Sequence, residues 1–172
     1  MLATKPKACA HCRALFTPAR LMQKVCSPVC AARSVKAQKV EERAKIRTRK
    51  EAVKTTGQLK AEAQAAVNRW IVHCRDANQP CISCGRHHEG AWHAGHYRSR
   101  GSAAHLALDP RNLAKQCAPC NLHLHGNLIA YRAGLIARHG VAFVEELEAD
   151  QTPRHYSPDE LRAIRADFVA RY

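Results

Sequence analysis

The chain has 172 residues, with 28 Lys and Arg against 14 Asp and Glu and only 5% aromatic side chains. So few aromatic residues argue against one large hydrophobic core, and we expect small modules joined by helices. The formal charge of +14 predicts an acidic polymer as partner, since neutralising phosphates releases counterions. The basic stretches lack the aromatic and leucine stripe of an interfacial helix, so a membrane partner is not expected.

Nine cysteines are present, and eight of them form close pairs. The pairs are Cys9 and Cys12, Cys26 and Cys30, Cys81 and Cys84, and Cys117 and Cys120. Such spacings are typical of thiolate ligands of structural zinc, so we predict two zinc ions. No signal peptide is recognisable, and we expect a reducing cytoplasm, where these thiols would not form disulfides. The ninth, Cys74, is interpreted as a small apolar residue on a helix.

Residues 1–30 are predicted to form a zinc knuckle with Phe16 and Leu21 as a small core. The cysteine spacing does not say whether this knuckle contacts DNA or a partner, or only orders the N-terminus. Residues 31–79 are predicted to be a basic helical region, with a first helix over 31–54 and a break at 55–57.

Residues 31–60 carry ten Lys and Arg against three Glu, a bias too one-sided for mutual pairing. We therefore favour a helix that tracks phosphates over a merely solvated helix. The second helix has an apolar stripe from Leu59 to Cys74, which indicates packing against the zinc module or a second subunit. The predicted DNA contacts are Lys36, Lys39, Arg43, Arg47, Lys50, Lys54, Arg98 and Arg100.

Residues 80–139 are predicted to form the central module. A strand is expected over 91–98, and Gly101 with Asp109-Pro110 should turn the chain back. The second cysteine pair of this module should open a helix that runs to about His139. On that helix Asn121 and His125, four residues apart, would share one face.

This central pattern resembles a known family. His96, then Asn112, then Asn121-x3-His125 resemble the ββα-metal (HNH) nucleases, and the flanking C-x2-C pairs resemble their endonuclease VII class. The strings C-I-S-C-G-R-H-H-E-G, H-A-G-H-Y-R and K-Q-C-A-P-C-N resemble the NinG/Rap recombination proteins of lambdoid phages.

The resemblance implies an α+β, helix-rich fold and a metal-dependent endonuclease in the bacterial host cytoplasm. Its substrates would be branched double-stranded DNA, such as Holliday junctions and D-loops, cut to 5′-phosphate and 3′-hydroxyl ends. His96 would be the general base, and Asn112 would brace the hairpin. Asn121 and His125 would bind one catalytic Mg²⁺ or Mn²⁺.

The chain departs from the family pattern immediately before the base. Such nucleases carry a metal ligand there, whereas this chain has Gly95. His93 has the same strand parity and could replace it, with His88 or Glu89 as weaker substitutes. The departure keeps an alternative open, a zinc-stapled accessory protein that binds branched DNA without cutting it. A third hypothesis is a zinc scaffold that recruits recombination proteins.

Residues 140–172 are predicted to be an acidic helical tail. Ser157 and Glu160 form a capping box that opens a terminal helix. An apolar stripe on that helix could pack on its own chain or build a dimer, and it comprises Leu161, Ile164, Phe168 and Tyr172. Because a four-way junction has two strands to cut symmetrically, we expect a homodimer.

Overall fold

The computed structural model describes residues 5–172 and divides into two compact units, Met1–Lys54 and Thr55–Tyr172. The first unit contains a small antiparallel pair, β1 (Lys7–Ala8) and β2 (Leu15–Phe16), followed by helix α1 (Pro28–Ala52). The predicted basic helix is confirmed. The expected contribution of Leu21 to the knuckle's core is wrong, because this side chain is 92% exposed.

Local sequence explains where α1 begins and why it stays solvated. The Ser27 hydroxyl accepts a hydrogen bond from the Cys30 amide at 3.2 Å, and Pro28 occupies the first turn. Among the described residues of α1, Cys30 alone is buried. The helix is therefore stabilised by its cap and backbone more than by a packed face.

The second unit opens with α2 (Thr56–Trp70), whose N-terminus carries a capping box between Thr55 and Gln58. The helix continues as one π-helical turn, Ile71–Arg75. Its apolar face forms a core with the C-terminal helix α5 (Pro158–Ala170). This face is buried as predicted, and it contains Leu59, Ala63, Ala66, Val67 and Ile71.

The centre of this unit is a hairpin of two antiparallel strands, β3 (Trp92–His96) and β4 (Leu113–Cys117). His96 pairs with Leu113 and His93 pairs with Gln116. The loop between the strands contains two short 3₁₀ turns, Ala104–Leu106 and Pro110–Asn112. The predicted strand and return loop are confirmed.

The helix expected to run unbroken from the second cysteine pair to His139 is wrong. A π-helical turn covers Pro119–His123, and α3 begins only at Leu128 and ends at His139. The Gly126 amide donates to the Cys120 carbonyl at 3.0 Å, which closes the wide turn. His125, which lies between the π-helical turn and α3, has a left-handed backbone with φ of 48°.

The tail forms α4 (Val141–Ala149) and α5, and the capping box at Ser157 is confirmed. The sequence left open whether the α5 stripe packs on its own chain. It does: Leu161 and Phe168 are buried against α2, whereas Tyr172 is 62% exposed. Helices α3 and α4 pack on the other side of the hairpin around Tyr131. Within residues 5–172, none of the helices is both long and apolar enough to cross a bilayer.

Candidate functional site

Both predicted cysteine tetrads are assembled. The Sγ atoms of Cys9, Cys12, Cys26 and Cys30 lie within 4.8 Å of one another, and so do those of Cys81, Cys84, Cys117 and Cys120. Resolved Sγ–Sγ distances are 3.6 Å in the first tetrad and 3.9 Å in the second. Four thiolates around a tetrahedral zinc lie about 3.8 Å apart. Each tetrad could therefore hold a metal ion such as zinc.

His88 lies beside the second tetrad. Its Nε2 lies 3.1 Å from the Cys84 sulfur, and its ring packs edge-on against Trp92. Glu89 is exposed beside it. His88 therefore contacts a cysteine of the tetrad. Neither His88 nor Glu89 lines the cleft described next.

A cleft of about 460 Å³ lies between the hairpin and helix α2, and we call it the His96 cleft. Its lining is strongly polar and comprises Gln64, Asn68, Arg69, Val72, His73, Trp92, His93, Ala94, His96, Arg100 and Asn121. No carboxylate is among the described residues that line it. Two guanidinium groups and three imidazoles without acidic side chains make a site for an anion such as phosphate.

The imidazole of His96 is held in one orientation. Its Nε2 lies 3.0 Å from the carbonyl oxygen of Ala107. A carbonyl can only accept, so Nε2 carries the proton and Nδ1 is left with a free lone pair. Burial lowers the pKa of His96, with a further contribution from the charge of Arg100. The ring is therefore neutral near pH 7 and can accept a proton through Nδ1.

Asn112 fixes the loop that holds this carbonyl. The side chain is fully buried, and its Oδ1 accepts from the Arg98 amide at 2.8 Å. Its Nδ2 donates to the carbonyls of Arg98 at 2.9 Å and Leu106 at 3.2 Å. Since Leu106 precedes Ala107, Asn112 ties the His96 partner to the end of β3. This geometry supports the predicted bracing role.

Packing explains the missing ligand at Gly95. A Cβ at this position would lie 2.2 Å from Oε1 of Gln116, a fully buried residue. The Gln116 amide is held by Ser83 at 2.7 Å and by the Gly126 carbonyl at 2.6 Å. The Gly95 carbonyl on β3 accepts a hydrogen bond from the Tyr131 hydroxyl on α3 at 2.8 Å. Any side chain at position 95 would have to displace Gln116.

The predicted ligands of a catalytic metal are only partly brought together. His93 and Asn121 line the His96 cleft, whereas the exposed His125 does not. The helical face that would have aligned His125 with Asn121 is absent, because the π-helical turn ends before it. An imidazole and an amide fit Mn²⁺ or another transition metal better than Mg²⁺, which prefers carboxylate oxygens.

Two of the predicted DNA contacts, Arg98 and Arg100, lie just after the end of β3, and their side chains have different partners. Arg100 is exposed and lines the cleft. Arg98 instead donates to the Leu147 carbonyl at 3.2 Å and the Asp150 carbonyl at 2.5 Å, at the end of α4. This internal role argues against the predicted DNA contact of Arg98.

The other predicted DNA contacts belong to the first unit. Lys36, Lys39, Arg43, Arg47 and Lys50 recur at intervals of three and four along α1, and all are exposed. Lys54 lies beyond the end of α1 and pairs with Glu51 at 2.5 Å. The exposed row could follow a phosphate backbone, whereas Lys54 already has a carboxylate partner.

Sequence reasoning missed the contribution of α2 to the cleft. Arg69 and His73 line it beside Gln64 and Asn68, which are hydrogen-bonded to each other at 2.9 Å. Arg69 also lies over the exposed ring of Tyr172, with 5.4 Å between the guanidinium carbon and the ring centre. The available signal was the polar face beside the apolar stripe of α2.

The fold and the site define a basic, helix-rich α+β protein with two potential metal tetrads and a polar cleft lined by arginine and histidine side chains. The family model of the Bacteriophage Lambda NinG protein matches residues 1–172, and the chain belongs to this family. No solved structure is detectably similar to it.

Curated relatives support this membership. The chain is 39% identical to "Protein ninG" of Salmonella phage P22, over 92% of this chain and 87% of that protein. It is 38% identical to "Protein ninG" of Escherichia phage lambda, over 92% and 86% of the two chains. A third relative, from Escherichia phage 933W, is 43% identical over 72% of this chain and 61% of its own length.

Proposed function

We propose that this protein is a metal-dependent endonuclease that cuts branched DNA intermediates of recombination. The observation that carries the proposal is the imidazole of His96, oriented by Ala107 and facing an anion-binding cleft that holds no carboxylate among its described residues. A free Nδ1 on a neutral ring, beside Arg69 and Arg100, is suited to activating water against a bound phosphodiester.

Each residue then has a distinct task. His96 accepts the proton of the attacking water, and the Ala107 carbonyl stabilises the imidazolium that results. Arg69 and Arg100 hold the phosphate and offset the negative charge that develops on it. Asn112 is a positioning residue, because it touches the loop and not the phosphate.

A divalent ion would be held by His93 and Asn121. When bound, such an ion stabilises negative charge on the phosphate and on the leaving 3′ oxygen. Because the described lining offers imidazole and amide groups only, we expect stronger support of cutting by Mn²⁺ than by Mg²⁺.

A labelled four-way junction incubated with purified protein in Mn²⁺, Mg²⁺ or EDTA tests the proposal. We expect paired cuts near the branch in Mn²⁺ and none in EDTA. An intact junction in both metals, at protein concentrations that saturate binding, would contradict it.

The absence of a ligand at Gly95 favours a second candidate function, branched-DNA binding without cutting. The two functions differ in what His93 does. In a nuclease, His93→Ala should weaken metal-supported cutting and leave junction affinity nearly unchanged. In a binding protein, the variant should have no effect on any metal-dependent readout.

We further propose that both tetrads hold zinc. The four-sulfur ligand sets and their spacing fit tetrahedral Zn²⁺, which tolerates four thiolates without redox chemistry. Elemental analysis of the purified chain should give two zinc ions per molecule, and a single ion would contradict the assignment.

A further inference from the structure

A second cavity lies next to the His96 cleft, and we call it the Lys60 cavity. Its volume is about 440 Å³, and its lining comprises Gly57, Lys60, Ala61, Gln64, Arg100, Gly101 and Ala107. One wall is the first half of α2, and the other is the loop that follows β3. None of these residues belongs to either cysteine tetrad.

The two cavities are neighbours, since Gln64 and Arg100 line both. The hydrogen-bonded pair of His96 and Ala107 lies between the two cavities. The ring of His96 lines the cleft, and Ala107, whose carbonyl it contacts at 3.0 Å, lines the Lys60 cavity. A ligand in the Lys60 cavity would therefore lie one side chain away from the proposed general base.

The charge of the Lys60 cavity is not neutralised within the protein. Most arginines of the second unit are paired with carboxylates, and they include Arg75, Arg111, Arg132, Arg138, Arg162, Arg165 and Arg171. Within residues 5–172, no carboxylate lies at ion-pair distance from Lys60 or Arg100. Lys60 and Arg100 are thus two cations without a carboxylate partner among residues 5–172, and both line the Lys60 cavity.

Helix α2 connects the two cavities along one face. Gly57, Lys60, Gln64 and Asn68 recur at intervals of three and four, on the face beside the buried apolar stripe. From residue 57 to residue 73 this polar face extends for roughly 24 Å. It is long enough to follow several nucleotides of one strand.

We propose that the DNA strand whose phosphate occupies the His96 cleft continues along α2 and that Lys60 binds an adjacent phosphate of that strand, with Arg100, which lines both cavities, between the two phosphates. The proposal rests on the proposed function, since it takes the cleft as the site of the scissile phosphate. The Lys60 cavity sets the register of the strand, and its ligand is a phosphodiester of a nucleic-acid strand.

Binding of charge-deleted junctions tests this directly. A series of four-way junctions would each carry one uncharged methylphosphonate at a single position near the branch. Affinity for wild type and Lys60→Gln would be measured without added Mn²⁺ or Mg²⁺, so that cutting is not supported and the zinc ions stay in place. Gln is a good helix former at this half-buried position, so the variant should fold, and thermal unfolding checks that.

We expect one position at which the uncharged linkage and Lys60→Gln together weaken binding no more than either change alone. That position should lie within two linkages of the cut mapped in Mn²⁺. On the unmodified junction, Lys60→Gln should reduce the slope of log affinity against log salt by about one. Arg154→Gln is a charge-matched control, because Arg154 stacks on Tyr156 and lines neither cavity.

The outcomes separate the two proposals. Additive effects of Lys60→Gln at every position, or coupling only at a distance from the cut, would overturn the phosphate site while cutting stands. Coupling without any cutting would support the phosphate site and overturn the nuclease. Absence of junction binding by wild type would overturn both.

Discussion

At His96, a single hydrogen bond determines which ring nitrogen carries the proton. The carbonyl of Ala107 fixes the proton on Nε2, and burial keeps the ring neutral by lowering its pKa. Both effects prepare Nδ1 to accept a proton.

The pH dependence of cutting should report this environment. Because the pKa of His96 is lowered, the neutral ring persists below the ordinary histidine value of about 6.5. A profile of kcat/KM against pH should therefore fall on the acidic side with a midpoint below about 6.5. Arg100→Gln removes one of the charges that lower this pKa and should raise the midpoint. A wild-type midpoint above the ordinary histidine value would contradict the assignment.

Gly95 makes a second prediction at this scale. A methyl group at position 95 collides with Gln116, whose amide is already held on both sides. Gly95→Ala should lower the free energy of unfolding by about 1–3 kcal/mol, measured by urea denaturation. Gly101→Ala is a matched control, since its nearest contact at 3.8 Å is an ordinary one. Equal stability of the two variants would show that Gln116 moves aside freely.

The sequence predicted some site residues and not others, for a physical reason. His96 and Asn112 were proposed as site residues because their spacing resembles the ββα-metal pattern, and their roles stay predictions. Arg69 and His73 reach the cleft only because the apolar face of α2 packs on α5 and the hairpin. Their position depends on tertiary docking, which no local pattern encodes.

At the scale of elements, the loop between β3 and β4 depends on one buried amide. Asn112 makes three hydrogen bonds that join both ends of this loop. Asn112→Asp keeps the acceptor and loses both donors, which removes the side-chain partner of the Arg98 carbonyl and leaves the Leu106 carbonyl with the Asp109 amide alone. We expect kcat to fall at least tenfold with little change in junction affinity, because a positioning residue acts through His96. A loss of affinity with unchanged kcat would place Asn112 in DNA binding instead.

A buried ion pair joins the end of α2 to the hairpin. Asp76 is 4% exposed, accepts from Arg75 at 2.8 Å, and accepts from the Lys115 amide at 2.9 Å. Asp76→Ala should lower the free energy of unfolding by about 3 kcal/mol in urea denaturation. The exposed pair of Asp167 with Arg171 is the control, and Asp167→Ala should change stability by less than about 1 kcal/mol. Similar effects of both variants would contradict this account.

The sequence predicted the start of one helix better than the break inside another. The capping box at Ser157 predicted where α5 begins, because a cap acts within one helical turn, whereas α1 begins at Pro28 and not at the predicted residue 31. The break after Pro119–His123 was missed, because its turn also forms part of the second cysteine tetrad. The tetrad and the wide turn compete with the helical ladder, and Gly126 and Asn127, both poor helix formers, were the available signal for the break.

At the scale of the whole molecule, each unit has its own tetrad, and this predicts independent responses to metal loss. Cys12→Ser should halve the zinc content and leave the second unit resistant to proteolysis. Cys117→Ser should also halve it, but the second unit should become susceptible, because Cys117 is fully buried at the end of β4. Loss of both zinc ions in either variant would show that the units fold together.

The homodimer stays a prediction. One surface considered for its interface, the apolar stripe of α5, is already buried within the chain. The apolar stripe of α5 is used within the chain, where Leu161 and Phe168 pack on α2. That surface is therefore unavailable to a second copy. The described residues that line the His96 cleft all belong to the second unit of one chain.

The most direct test of the central claim is single-turnover cleavage of a four-way junction by wild type and by His96→Ala. Both proteins would be saturating in Mn²⁺, with zinc content and affinity measured in parallel. We expect the variant to bind normally, to retain its zinc, and to cut at least a hundredfold more slowly. Cutting at the wild-type rate by His96→Ala would contradict the claim that this imidazole activates the attacking water.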